Sequence, residues 1–90
     1  MNLHKLKTWT KYFQQIKNGN KLFEVRKNDR NYCVGDALLL AEYDPNDGVY
    51  MDNEIMVLVT SILEGGQFGI EKEYCVMGIK VLLEFSGRSR

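Results

Sequence analysis

Apolar positions change period twice along this 90-residue chain, and the changes mark out its elements. Over residues 2–7 a weak alternation sets Leu3 and Lys5 opposite His4 and Leu6, which predicts a first strand. Beyond it, Trp9, Tyr12, Phe13 and Ile16 recur at i, i+3, i+4 and i+7 and share one face of a helix expected over residues 9–18. Thr8 is expected to cap its start, and Asn18-Gly19 to supply the left-handed exit that ends helices. The aromatic stripe is assigned to the core, with Trp9 and Tyr12 also placed to stack on a ligand.

After Gly19 the period becomes two. In "KLFEVR", Phe23 and Val25 point one way and Leu22, Glu24 and Arg26 the other, so the core is expected on the Phe23 side with the charges opposite. "KNDRN" and "VGD" are turns leading into "ALLLAEY", a strand expected in the interior of a sheet with a layer on each side. "DPNDG" is the strongest turn signal, and the β-branched run "EIMVLVTSIL" after it should pair antiparallel with "ALLLAEY". "EGGQFG" lacks the lysine and Ser or Thr of a phosphate-binding loop and is assigned to conformational freedom. "YCVMGIKVLLEF" closes the domain, with Gly78 marking a bulge or close backbone approach, and "SGRSR" is expected to be a disordered tail. A strand, a helix and four strands predict a single mainly β domain over residues 1–85, a mixed or antiparallel barrel flanked by its amino-terminal helix.

Composition narrows the function. No apolar run reaches the roughly 18 residues that cross a bilayer, and "MNLHKLKTWTKYF" does not resemble a signal peptide, so a cytoplasmic protein is expected. Cys33 and Cys75 stand far apart and are expected as small buried hydrophobes, and His4 has no partners at metal-ligand spacing. Neither a metal nor another cofactor is expected. The formal charge is zero, which argues against indiscriminate nucleic-acid binding. Residues 1–30 nevertheless carry eight Lys and Arg against two Asp and Glu, and residues 31–90 four against ten. The basic third either pairs with the acidic remainder or lines a site for an anionic partner.

The charges concentrate in "GNKLFEVR", which has the form G-x-K-x-x-E-x-R after an amphipathic helix and at the start of a strand. Glu24 and Arg26, two apart, share a strand face, and Lys21 comes from the adjoining turn, so a carboxylate and two cations can converge. Such a group is either a cross-strand ion lattice, worth about 0.2–1 kcal/mol for an exposed pair, or a site for a polar ligand.

This arrangement resembles the signature of the ASCH domain within the PUA-like superfamily. "HKLKTWTKYFQQIKNG", "RKNDR", "VGD", "YDPNDGVY" and the "ILEGGQFGI" to "YCVMGIK" end are similar to a bacterial and phage-associated ASCH-like subgroup of unassigned function, over residues 3–81. The resemblance implies a PUA-like barrel with a groove between the first helix and the barrel, edged by Gly19, Lys21, Glu24 and Arg26. It implies RNA or a nucleoside- or nucleotide-like ligand, with Lys21 and Arg26 on phosphate or carbonyl oxygens, Glu24 accepting from the ligand or orienting Lys21, and Trp9 or Tyr12 stacking on a base. Some ASCH-like members are metal-free amidohydrolases of acetylated cytidine, which implies Lys21 and Glu24 as catalytic candidates. In those enzymes, however, a threonine nucleophile stands where this chain has Glu24, and a later glutamate is required. Glu64, Glu71 and Glu73 are available, but no spacing selects one. A glutamate beside Lys21 also favours the charged ammonium over the free amine that base catalysis needs. A binding module is therefore preferred to an enzyme, with a protein-interaction domain as a further alternative and a monomer as the default state.

Overall fold

The computed structural model describes residues 1–87, and the last three expected tail residues lie outside them. Six elements follow in the order β1 (Leu3–Trp9), α1 (Thr10–Lys17), β2 (Phe23–Lys27), β3 (Ala37–Asp44), β4 (Val49–Glu64) and β5 (Tyr74–Ser86). The fold is mainly β with one short helix, and its single sheet, ordered β1-β3-β4-β5-β2, curls into a half-barrel. The β1–β3 pair is parallel and the other three are antiparallel.

Each junction has a local cause. Gly19 (φ +79°) follows Asn18 at the end of α1, with its N–H donating to the Ile16 carbonyl at 3.0 Å and the Asn20 N–H to that of Gln15 at 2.9 Å. That is the glycine-dependent Schellman exit read from the sequence. The start differs from expectation. Trp9 is the N-cap residue, without a side-chain cap bond, while Thr8 remains in β1 with its side chain buried. The Asp44–Gly48 turn closes β3 onto β4, which starts at Val49 and outruns the run expected from Glu54. At Gly78 a Cβ would run into the Ser61 hydroxyl and lie 3.0 Å from that of Thr60, beside a register shift between Val59 and Ser61. This is the close approach that the sequence flagged. Ser86, assigned to the tail, is the last residue of β5 and pairs with Asn53 of β4.

Phe13 and Ile16 on α1 pack against Leu6, Leu38, Leu40, Ile55, Val57, Val59, Met77 and Ile79 on the concave face of the sheet. Burying each of these large side chains contributes roughly 1.5–3 kcal/mol. β3 is interior to the sheet as expected, but its second face, with Ala37 and Leu39, is only half-buried. Cys75 joins the core, whereas Cys33, expected to be buried, is exposed in the β2–β3 connection. Beside Cys33, Asp36 is 1% exposed and accepts from the Asn2 N–H at 3.0 Å, His4 Nε2 at 3.0 Å and the Cys33 N–H at 3.0 Å. These donors, the Asn2 amide first, hold its carboxyl down at about 2. His4 thus anchors the start of β1 to the connection just before β3, with the Tyr32 ring edge-on to it at 4.9 Å. No helix among the described residues is long and apolar enough to cross a membrane.

Candidate functional site

The half-barrel leaves β1 and β2 as its two edges, and no backbone ladder joins them. Closure was expected to come from strand pairing, and arginine side chains supply it instead. Arg26 of β2 donates through Nη2 to the Lys7 carbonyl at 3.0 Å and the Thr8 hydroxyl at 3.1 Å. Arg30 donates through Nη1 to the Lys5 carbonyl at 3.1 Å. The buried Thr8 hydroxyl, displaced from its expected role as a cap, is therefore part of this seam.

The alternation in β2 is as read, but its faces are inverted. Glu24 lies opposite Met77 and Arg26 opposite Cys75, both core residues of β5. Glu24 is 3% exposed, while Phe23 and Val25, expected in the core, are 46% and 51% exposed. The charged face points inward because the seam needs polar groups there: Arg26 must cross to β1, and Glu24 is its counter-ion. Hydrophobicity along one strand carries no information about this requirement.

Glu24 brings the two cations together. Lys21 Nζ donates to its Oε2 at 2.5 Å, and Arg26 Nε to its Oε1 at 2.9 Å. Lys21 Nζ also donates to the Phe23 carbonyl at 2.6 Å and lies 4.9 Å from the Phe23 ring centroid. With both oxygens engaged and the group buried, Glu24 fixes Lys21 and Arg26 in place. A carboxylate at this depth is tolerated only with such partners.

A groove of about 730 Å³ opens over this cluster, between the start of α1 and the two edge strands. It is lined by the expected Trp9, Tyr12, Lys21, Glu24 and Arg26, while Gly19 shapes the turn that delivers Lys21 without lining the groove itself. Trp9 and Tyr12 are 51% and 40% exposed, with near-parallel rings 6.5 Å apart, so these two stripe residues lie outside the core that holds Phe13 and Ile16. Sequence reading missed Lys7, Thr8, Gln15, Phe23, Val25 and Tyr74 in the lining. Phe23 and Val25 were hidden by their assignment to the core. Tyr74 reaches the groove through its pairing with Lys27, a register that local sequence does not fix.

A second cavity, of about 420 Å³, lies between α1 and the far ends of β4 and β5, with Phe13, Lys17, Glu54, Ile55 and Glu84 in its wall. Asn53, also in that wall, donates to the buried Glu42 at 3.0 Å. Among the described residues no group of His, Cys, Asp and Glu has the arrangement of a metal site.

Comparison with known proteins matches residues 3–79 to a family described as Domain of unknown function (DUF3850). The chain is also similar to the "Uncharacterized 12.9 kDa protein in GpA 3'region" of Escherichia phage P2, with 36% identity over 62 residues. That stretch covers 69% of this chain and 55% of the phage protein, so the match spans only about half the length of the relative.

Proposed function

This chain belongs to the family described as Domain of unknown function (DUF3850), and from that premise we propose that it is an RNA- or nucleotide-binding module of ASCH type on a PUA-like half-barrel. One observation carries the reading: a single groove combines half-exposed aromatic rings with two cations fixed in place by a buried carboxylate. Trp9, Tyr12 and Phe23 offer apolar faces of the kind on which bases stack, at about 1–3 kcal/mol per base. Lys21 and Arg26 are pre-oriented by Glu24, so little side-chain entropy is lost when they engage an anionic or carbonyl oxygen. The groove's volume lies within the roughly 300–1,000 Å³ usual for small-ligand sites.

The ion pair weighs against the amidohydrolase alternative. Lys21 Nζ is already engaged by Glu24 and the Phe23 carbonyl, and Glu24 occupies the position that the hydrolase pattern gives to a nucleophile. The reading is therefore recognition without chemistry, in a cytoplasmic setting and with a monomer as the simplest state.

Trp9 is a built-in reporter, because it lines the groove and is the chain's one tryptophan. Titration with nucleosides, nucleotides and short single-stranded RNAs should change its fluorescence saturably, and Lys21→Ala should weaken the binding. If none of these ligands produces a saturable change at millimolar concentration, the proposal is wrong. Turnover of acetylated cytidine that Lys21→Ala abolishes would replace binding with catalysis.

A further inference from the structure

The backbone at the seam indicates what kind of group the groove can seat. Ala37 donates its N–H to the Asn2 carbonyl, so in the parallel β1–β3 ladder the even-numbered residues of β1 direct their backbone groups at β3. Lys5 and Lys7 therefore turn both N–H and C=O toward the seam, and the arginine bonds to their carbonyls agree with this. On the opposite lip, Ile79 donates to the Leu22 carbonyl and Asn28 to that of Glu73, so the even-numbered residues of β2 face β5. Phe23 and Val25 thus turn their backbone groups toward β1.

The carbonyls and the N–H groups of these lips meet different fates. Arg30, Arg26 and Lys21 cover the carbonyls of Lys5, Lys7 and Phe23 respectively. The Val25 carbonyl is the one in this stretch without a cationic partner among the described residues. The N–H groups of Lys5, Lys7, Phe23 and Val25 have no ladder partner across the seam. Lys21 uses two of its three N–H donors, and Nη1 of Arg26 makes no bond among the described residues. The seam is rich in donors and poor in acceptors.

An added peptide strand needs donors and acceptors in alternation, and three of the four seam carbonyls, those of Lys5, Lys7 and Phe23, are already occupied. A compact oxyanion needs only donors. We propose that the seam between β1 and β2 is an oxyanion seat, formed by the spare donors of Lys21 and Arg26 and the outward amides of Lys7 and Val25. Its ligand group is the phosphate of a nucleotide whose base lies on Trp9 and Tyr12, with Glu24 as a positioning residue that does not touch the ligand. The assignment rests on the groove reading above and adds the class of group that reading leaves open.

The test compares adenosine, adenosine 5′-monophosphate and inorganic phosphate by calorimetry and Trp9 fluorescence on the full chain. The monophosphate should bind tighter than adenosine by at least about tenfold, the worth of one charge-assisted hydrogen bond. Inorganic phosphate should compete with it, and Lys21→Met should remove the advantage of the monophosphate over adenosine. Circular dichroism of that variant establishes that it is folded, and Lys21→Arg should restore the preference. Equal affinities for adenosine and its monophosphate would overturn the seat while leaving the groove reading intact. No binding of either would overturn both. Binding of an unphosphorylated extended peptide, with no effect of phosphate, would assign the seam to strand addition instead.

Discussion

Replacing Glu24 by alanine removes one buried carboxylate and strands two cations. Lys21 is left with the Phe23 carbonyl alone, and Arg26 keeps its bonds to Lys7 and Thr8 but loses its counter-ion. Breaking a buried pair by deleting one partner costs about 3–5 kcal/mol, because the remaining charge is left in a poorly solvated place. The two cationic side chains here are 12% and 23% exposed, so water recovers part of their solvation. A loss of about 2–3 kcal/mol follows, larger than the roughly 0.2–1 kcal/mol of an exposed ion lattice. With a urea m-value of about 1–1.5 kcal/mol/M for a domain of this size, the midpoint should fall by about 2 M with the slope unchanged. Because Arg26 closes the seam, native-state amide exchange should accelerate in β1 at His4 and Leu6, whose N–H groups face β3, more than in the β3–β4 hairpin. A loss under about 0.5 kcal/mol, with exchange in β1 unaltered, would refute the reasoning and return the constellation to a solvated strand face.

The remaining predictions concern the scaffold. Asp36 is held at about 2 in the folded chain against an ordinary 3.8, so its contribution is complete above pH about 4 and is lost as the pH falls toward 2. About 2 kcal/mol of the acid destabilisation should therefore disappear in Asp36→Asn when urea midpoints are compared between pH 5 and 2; an unchanged acid limb would remove this role. Gly78→Ala should cost more than Gly19→Ala in thermal denaturation. A Cβ at residue 78 meets the Ser61 hydroxyl, whereas at residue 19 it meets open space and faces only the positive φ, worth about 1 kcal/mol. The reverse order would contradict the packing at the bulge. Burial, with a smaller contribution from Glu64, raises the Cys75 thiol above its ordinary value, while Cys33 is exposed. A thiol reagent at neutral pH should thus label one cysteine rapidly and the second only on unfolding.

What the sequence made legible were the features fixed by local chemistry. The change from period 3.6 to period 2 at Gly19, the Asp44–Gly48 turn and the constraint at Gly78 all act within a few residues, and each expected element is present, although β1 runs on to Trp9, β4 begins at Val49 and β5 takes in Ser86. The inward face of β2 was not legible in this way. By hydrophobicity Phe23 and Val25 belong inside, but the seam sets Glu24 and Arg26 against Met77 and Cys75, a pairing across about 50 residues. Thr8 was misassigned for a related reason, since its partner Arg26 is remote in sequence. The convergence of Lys21, Glu24 and Arg26 was foreseeable from their spacing, and Trp9 and Tyr12 from the helical period. The role of Glu24 as an internal counter-ion followed only from its burial.

The central claim is that the groove over the Lys21–Glu24–Arg26 cluster holds a nucleotide or RNA. A ¹H–¹⁵N correlation spectrum of the full chain, recorded with increasing adenosine 5′-monophosphate and then a short single-stranded RNA, tests it most directly. The account predicts saturable shifts at the Trp9 indole, Tyr12, Lys21 and Val25, with the Asn53 and Glu84 region at the second cavity unmoved. Shifts confined to that second region, or none at all, would contradict it.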